Sequence, residues 1–432
     1  MFRFTLSALF LLILISGQFD NLAAAPLTCG RVVDVVNGKP IVNAVVTCGE
    51  RTARSDERGH FSIAAEVDEL RIRAVGYRRT MVEVAASHDI GLERLQPKAL
   101  YLSFFGVSEP VLRDPALDLL KQTELNALVI DAKGDRGMIP YPSRLPLTHA
   151  VGAQKLITWR QAEQNLKKYR DEGIYTIARI VTFKDNLLAS ARPDLAIKTE
   201  SGKVWRDGEG LAWVDPFSRD VWEYNIGIAV EAARLGFDEI QFDYVRFPEK
   251  SGLQFSQENT QENRVAAITG FLAEVHRHLK PYNVFVAADI FGYVCWNATD
   301  TNIGQQLEQL SRHLDYLSPM LYPSGFTYGV GRYRNPVNHP YEIVKLSLDR
   351  ARERTGREPL GFRPWLQAFR DYAFDRRNFG AEQVRAQTLA AEDFGANGWM
   401  LWNPRNVYSA AGLKPECQVE ARVELETDIM IQ

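Results

Sequence analysis

Hydrophobic and polar positions follow two rhythms along this chain. From residue 30 to 95 apolar residues alternate with polar ones at a period of two, in runs short enough to be strands. Arg31-Val32-Val33-Asp34-Val35 and Ile41-Val42-Asn43-Ala44-Val45-Val46 flank the turn residues Asn37-Gly38-Lys39-Pro40. Asp56-Glu57-Arg58-Gly59 is a second turn before Phe61-Ser62-Ile63, and Glu69-Leu70-Arg71-Ile72-Arg73-Ala74 alternates up to Gly76-Tyr77. Short strands punctuated by turns predict a small all-β sandwich over residues 27–95.

From residue 99 the rhythm changes. Eight apolar runs (99–107, 127–133, 175–182, 239–247, 284–291, 316–322, 361–369 and 398–403) alternate with helical stretches such as 159–172, 219–235, 262–279, 340–355 and 381–394. This alternation predicts βα units closing into a (β/α)8 TIM barrel over residues 99–412. The chain as a whole is then α/β, with its largest insertion at 184–216 and a tail at 413–432. A doubly wound open sheet is the alternative, weakened because no Gly-rich phosphate loop follows the first strand.

Composition removes several function classes. The 432 residues carry 51 Lys plus Arg against 54 Asp plus Glu, a net charge of −3. A protein built to neutralise nucleic-acid phosphates would be strongly basic, so no nucleic-acid partner is expected. Arg3, an apolar stretch at 4–16 and Ala23-Ala24-Ala25 together read as a signal peptide over residues 1–25. The expected location is therefore secreted or periplasmic, with no integral span after cleavage. Export permits disulfides. If Val36 pairs with Ile41 across the first turn, Cys29 falls opposite Cys48, and a Cys29–Cys48 bridge is expected. The seven histidines are scattered and neither CxxC nor HExxH occurs, so no metal site or cofactor is expected.

Candidate chemistry lies where a barrel keeps it, at the C-terminal strand ends. Alternation along Glu239-Ile240-Gln241-Phe242-Asp243 turns Ile240 and Phe242 to the helices and Gln241 and Asp243 to the barrel axis. In the fifth run Phe285, Ala287 and Asp289 face inward. Asp131 and Lys133 share a face at the end of the second run, and Arg179, Tyr322, Gln367 and Trp402 end others. Charged residues ending several neighbouring strands are costly to bury without pairing or function. A structural ion network around Arg179 is the bland explanation. Aromatic side chains nearby, with Trp365 and Trp402 as cleft-lining candidates, would stack on the apolar faces of sugar rings.

Two resemblances sharpen this reading. Gly30-x-Val32, Pro40-Ile41, Ala44-x-Val46, Asp56-Glu57-x-Gly59-x-Phe61 and Ala74-x-Gly76-Tyr77 resemble the carboxypeptidase regulatory-like domain, usually a spacer or binding module. The segment from Phe237 to Pro248 resembles the fourth-strand signature of a bacterial glycoside hydrolase domain family, distantly similar to α-amylase-type barrels. Val129-Ile130-Asp131-Ala132-Lys133-Gly134, Trp213-Val214-Asp215-Pro216, Ala288-Asp289-Ile290-Phe291-Gly292 and Ser318-Pro319-Met320-Leu321-Tyr322-Pro323 match it too. Against family 18 chitinases the comparison fails, because Val245 stands where their catalytic Glu belongs. In α-amylase-like enzymes the nucleophile ends strand four and the acid ends strand five. Asp243 and Asp289 occupy those ends, with Gln241 in place of the usual Arg.

The expected function is hydrolysis of glycosidic bonds in a poly- or oligosaccharide by two carboxyl groups in different protonation states. Asp243 is the nucleophile or base, kept ionised by Arg179. Asp289 is the acid, its pKa raised by Ala287, Phe291 and the adjacent charge, with Asp131 as rival. Adjacent strands favour retention. Asp131, Lys133, Arg179, Gln241, Tyr322, Trp365, Gln367 and Trp402 would contact substrate. The alternatives are a non-catalytic glycan-binding barrel of the cell envelope, or a metal-assisted hydrolase holding Mg²⁺ or Ca²⁺ on Asp131, Asp243 and Asp289.

Overall fold

A computed structural model describes residues 26–64, 68–86 and 88–416. The expected signal segment, Cys417 and most of the C-terminal tail lie outside the described residues. The N-terminal region forms seven strands: β1 (Leu27–Asp34), β2 (Val45–Cys48), β3 (Arg51–Arg54), β4 (His60–Ala64), β5 (Glu69–Arg73), β6 (Thr80–Glu83) and β7 (Asp89–Leu92). They make two sheets, ordered β4-β1-β7 and β3-β2-β5-β6. The inward residues Val32, Val46, Phe61, Leu70, Ile72 and Ile90 form one apolar core between them. Gly59 is needed at its turn. Its φ is +79°, and a Cβ there would lie 2.5 Å from the Val32 carbonyl oxygen.

The expected Cys29–Cys48 bridge is not formed. The turn after β1 closes only a single Val33–Pro40 bridge, and the chain then crosses to the other sheet. Cys29 therefore faces Ser62 across β4, and its thiol donates to Ser62 Oγ at 3.4 Å. Cys48 pairs with Arg51 in the second sheet. The register that would join the two cysteines required a hairpin, and a sandwich puts these strands in opposite layers.

Eight parallel strands then close into a barrel: β8 (Lys98–Leu102), β9 (Ala127–Lys133), β10 (Tyr175–Val181), β12 (Glu239–Asp243), β14 (Phe285–Phe291), β15 (Tyr316–Met320), β16 (Trp365–Gln367) and β17 (Trp399–Trp402). Two short strands, β11 (Lys198–Thr199) and β13 (Leu253–Gln254), pair outside it and tie the long insertion to the loop after β12. Outward residues such as Ile240, Phe242, Val286 and Ala288 pack under helices including Arg219–Leu235 and Gln261–Leu279. Inward residues Tyr101, Val129, Ile177, Phe285, Ala287 and Trp365 fill the lumen. The period-two assignment of faces in β12 and β14 is as expected.

The sandwich docks on the N-terminal ends of the barrel strands. Val75, from the β5–β6 connection, packs against the lumen cluster, and the Gly76 amide donates to Tyr316 Oη at 3.3 Å. Arg79 pairs with Asp238 at 2.9 Å, and Arg78 and Arg71 donate to the carbonyls of Gly173 and Pro281. Above this floor Arg363 pairs with Glu239 at 2.5 Å, and Tyr175 donates to the same carboxylate at 2.9 Å. With one end covered, the C-terminal strand ends are the open face.

Candidate active site

At that open face a cavity of about 160 Å³ is lined by Asp135, Arg179, Asp243, Tyr244, Arg246, Phe291, Met320, Tyr322, Trp365 and Trp402. Arg179 is its organising residue. It is 1% exposed, and it reaches three carboxylates from the middle of β10. Nε and Nη2 donate to Asp243 Oδ2 at 2.9 and 2.6 Å, Nη1 donates to Asp131 Oδ1 at 2.6 Å, and Nη2 approaches Asp135 Oδ1 at 3.2 Å. Its guanidinium also lies 4.9 Å from the ring centre of Trp402 and 5.4 Å from that of Tyr101. Asp131 Oδ1 and Asp243 Oδ2 are thus both occupied by this guanidinium.

Asp243 ends β12, and its second oxygen is also fixed. The Tyr244 amide donates to Asp243 Oδ1 at 2.6 Å. Immediately beyond Asp243, Tyr244 sits at φ +47°. A bulky residue in the left-handed region is strained, and such strain gathers at functional sites. The Tyr244 ring is held by Trp213, with ring centres 5.5 Å apart, and by Lys184 Nζ at 5.0 Å from the ring centre.

Asp289 is one layer back from the cavity wall. It is 1% exposed, and Trp365, which does line the cavity, donates its indole N–H to Asp289 Oδ1 at 2.7 Å. Asp289 Oδ2 makes no hydrogen bond to a described group. Burial first, then the Asp243 charge, push this carboxyl well above the usual carboxylate range, which favours its protonated form. Asp131 is also buried and is pushed up to about 6, by burial above all, while Arg179 pulls the other way. Tyr101 Oη and the Phe104 amide donate to its Oδ2 at 2.8 and 3.2 Å.

The sequence-expected residues thus divide. Arg179, Asp243, Tyr322, Trp365 and Trp402 are on the cavity wall, and Asp131 and Asp289 bond directly to wall residues. Lys133 does not share the face of Asp131. A bulge in the β9–β10 ladder lets Arg179 pair with Asp131 and Ile180 with Lys133, skipping Ala132. Lys133 therefore turns to the helix layer, where it meets Asp185 at 2.8 Å and the Tyr224 ring. Gln241 lies deeper in the lumen and donates to Ser318 Oγ at 3.1 Å. The Gln367 side chain bonds Ser324 and the Phe369 carbonyl. Neither glutamine lines the cavity.

Five wall residues were not among the expected site residues: Asp135, Tyr244, Arg246, Phe291 and Met320. Asp135 follows Gly134 directly after β9, so a carboxylate just beyond a strand end was the available signal. A larger groove, about 850 Å³, lies on the outside of the barrel beside the helix Arg219–Leu235. Arginines and glutamates face each other there, away from the strand ends, so the candidate chemistry is not in it.

The chain matches the family described as "Putative glycosyl hydrolase domain" over residues 99–408. It belongs to that family. The matched stretch begins in β8 and ends beyond β17, so it is the whole barrel with its site. No curated protein matches this chain. Among solved structures, a hypothetical protein from Ruminiclostridium thermocellum is 39% identical, with 44% of this chain and 96% of that one aligned at a TM-score of 0.39. The PgaB (BpsB) glycoside hydrolase domain from Bordetella bronchiseptica is 14% identical, with 77% of this chain and 98% of that one aligned at a TM-score of 0.52. The second likeness is one of fold.

Proposed function

We propose that this barrel hydrolyses glycosidic bonds in a poly- or oligosaccharide, with Asp243 and Asp289 as its two carboxyl groups. The observation that carries the reading is their opposite condition in one site. Asp243 meets Arg179 on one oxygen and a backbone amide on the other, which suits a carboxylate that attacks or activates water. Burial raises the Asp289 carboxyl and favours its protonated form, which suits a proton donor. Glycoside hydrolysis needs one of each. Tyr322 and Trp402, both half-buried on the cavity wall, offer aromatic surface that a sugar ring can meet.

Asp135 supports a second reading of the acid, because it lines the cavity whereas Asp289 stands behind Trp365. Leaving-group dependence separates the two. Loss of the true acid slows cleavage of unactivated glycans by about 10²–10⁴-fold and spares aryl glycosides with good leaving groups. The account expects that signature for Asp289→Asn. Finding it for Asp135→Asn instead transfers the role to Asp135. The N-terminal signal-like segment supports action outside the cytoplasm, secreted or in the periplasm, testable by fractionating cells that express the full chain.

A further inference from the structure

The sandwich and the barrel enclose another cavity at the opposite end of the molecule from Asp243. It holds about 370 Å³ and is lined by Arg54 and Arg73 from the sandwich and by His276 and Lys280 from the barrel, with Val45, Thr52 and Ala53 completing the wall. Among the described residues no carboxylate lines it. Its most buried cation is Arg73, whose side chain is 4% exposed. Arg73 Nε and Nη1 make no hydrogen bond to a described group, and neither does His276 Nδ1. Among the described residues the acid paired with Arg73 is Asp315, at 3.8 Å from Nη2, and Asp315 Oδ2 already accepts the Val286 amide at 2.9 Å.

A buried guanidinium with N–H groups unused is costly, because its desolvation is not repaid. Acceptors delivered into the cavity would repay it. Arg54 and Lys280 stand at the exposed rim and add attraction for an anion. Burial chiefly, against the pull of the Asp315 carboxylate and with the Arg73, Arg54 and Lys280 charges, holds the His276 imidazole below its ordinary value and favours its neutral, hydrogen-bonding form.

We propose that this interdomain cavity is an anion site that takes a tetrahedral phosphate-type oxyanion, either free or as a monoester on a sugar. The oxyanion oxygens would accept from Arg73, with the rim cations closing over them. The volume leaves room beyond a single phosphate group, which is why a sugar monoester is included. Because the cavity wall comes from both domains, the ligand would also fasten the sandwich to the barrel floor.

The test is titration of the full chain with inorganic phosphate, and separately with glucose 6-phosphate, at constant ionic strength in chloride, followed by calorimetry. Saturable one-to-one binding is expected. It should weaken at least tenfold in the Arg54→Ala/Lys280→Ala double variant and in Arg73→Gln, and persist in Asp243→Asn. If Arg73→Gln does not fold, the rim double variant carries the test, since both positions are exposed. Glucose 6-phosphate binding at least tenfold tighter than inorganic phosphate assigns the monoester, and equal affinity assigns the free ion. Absence of saturable binding by both probes overturns the proposal, as does binding that ignores the rim variants.

Discussion

Arg179 places two of its nitrogens on one oxygen of Asp243, at 2.9 and 2.6 Å, and leaves the other oxygen to the Tyr244 amide. The carboxylate is thereby fixed in position by rigid neighbours, one on the adjacent strand and one in its own backbone. Lysine at position 179 would keep the charge and lose the planar fork that reaches Asp131, Asp135 and Asp243 together. Arg179→Lys is expected to lower kcat/KM by about 10²–10³-fold while the protein stays folded. Steady-state kinetics beside a thermal melt checks this, and near-wild-type turnover would contradict the assignment.

The proton on Asp131 should be visible in stability. Its carboxyl is raised from an ordinary 3.8 to about 6, chiefly by burial. Between those values the folded chain holds a proton that the unfolded chain has released. Stability from this group is therefore full below about pH 4 and is lost as pH rises through about 6, by about 3 kcal/mol in all. Asp131→Asn removes that dependence. Urea unfolding of both proteins from pH 4 to 7 should show wild type losing stability relative to the variant across the window, and a constant difference would contradict it.

Deep in the lumen Arg363 and Glu239 are paired and fully buried. Removing one partner strands the other charge, so Arg363→Met is expected to cost about 3–5 kcal/mol. Denaturant titration measures this directly. A loss under about 1 kcal/mol would mean that water reaches Glu239 from the sandwich side.

Phe242 pairs with Ala288 in the β12–β14 ladder, which sets Asp243 and Asp289 side by side on neighbouring strands. Neighbouring strands are about 4.8 Å apart, a spacing that fits a nucleophile better than an interposed water. Cleavage should therefore retain anomeric configuration. Proton NMR of the first product formed decides it, and an inverted anomer would assign Asp243 as base instead.

The barrel was legible because its signals are local. Alternation assigned the inward faces of β12 and β14 correctly, so Gln241, Asp243, Phe285, Ala287 and Asp289 all point where the sequence pattern put them. Period counting fails at a bulge, and Lys133 lies one residue beyond one, so it faces Asp185 and not the cavity. Inward direction also does not fix depth. Gln241 points to the axis but stops at Ser318, below the cavity. The Cys29–Cys48 bridge failed for a different reason. A turn signal sets a reversal, but which sheet the next strand joins depends on long-range pairing, here of β1 with β4 and β7. Asp135 and the interdomain cavity are products of tertiary contact, and no periodicity marks them.

The central claim is that Asp243 drives cleavage of a glycan at the open barrel face. The most direct measurement is a polysaccharide screen, bacterial and plant, for new reducing ends, run with wild type and with Asp243→Asn of equal thermal stability. The account predicts reducing ends from at least one polymer with wild type and a loss of about 10³-fold or more in the variant. Binding of one glycan by both proteins with cleavage by neither, or equal cleavage by both, would contradict it.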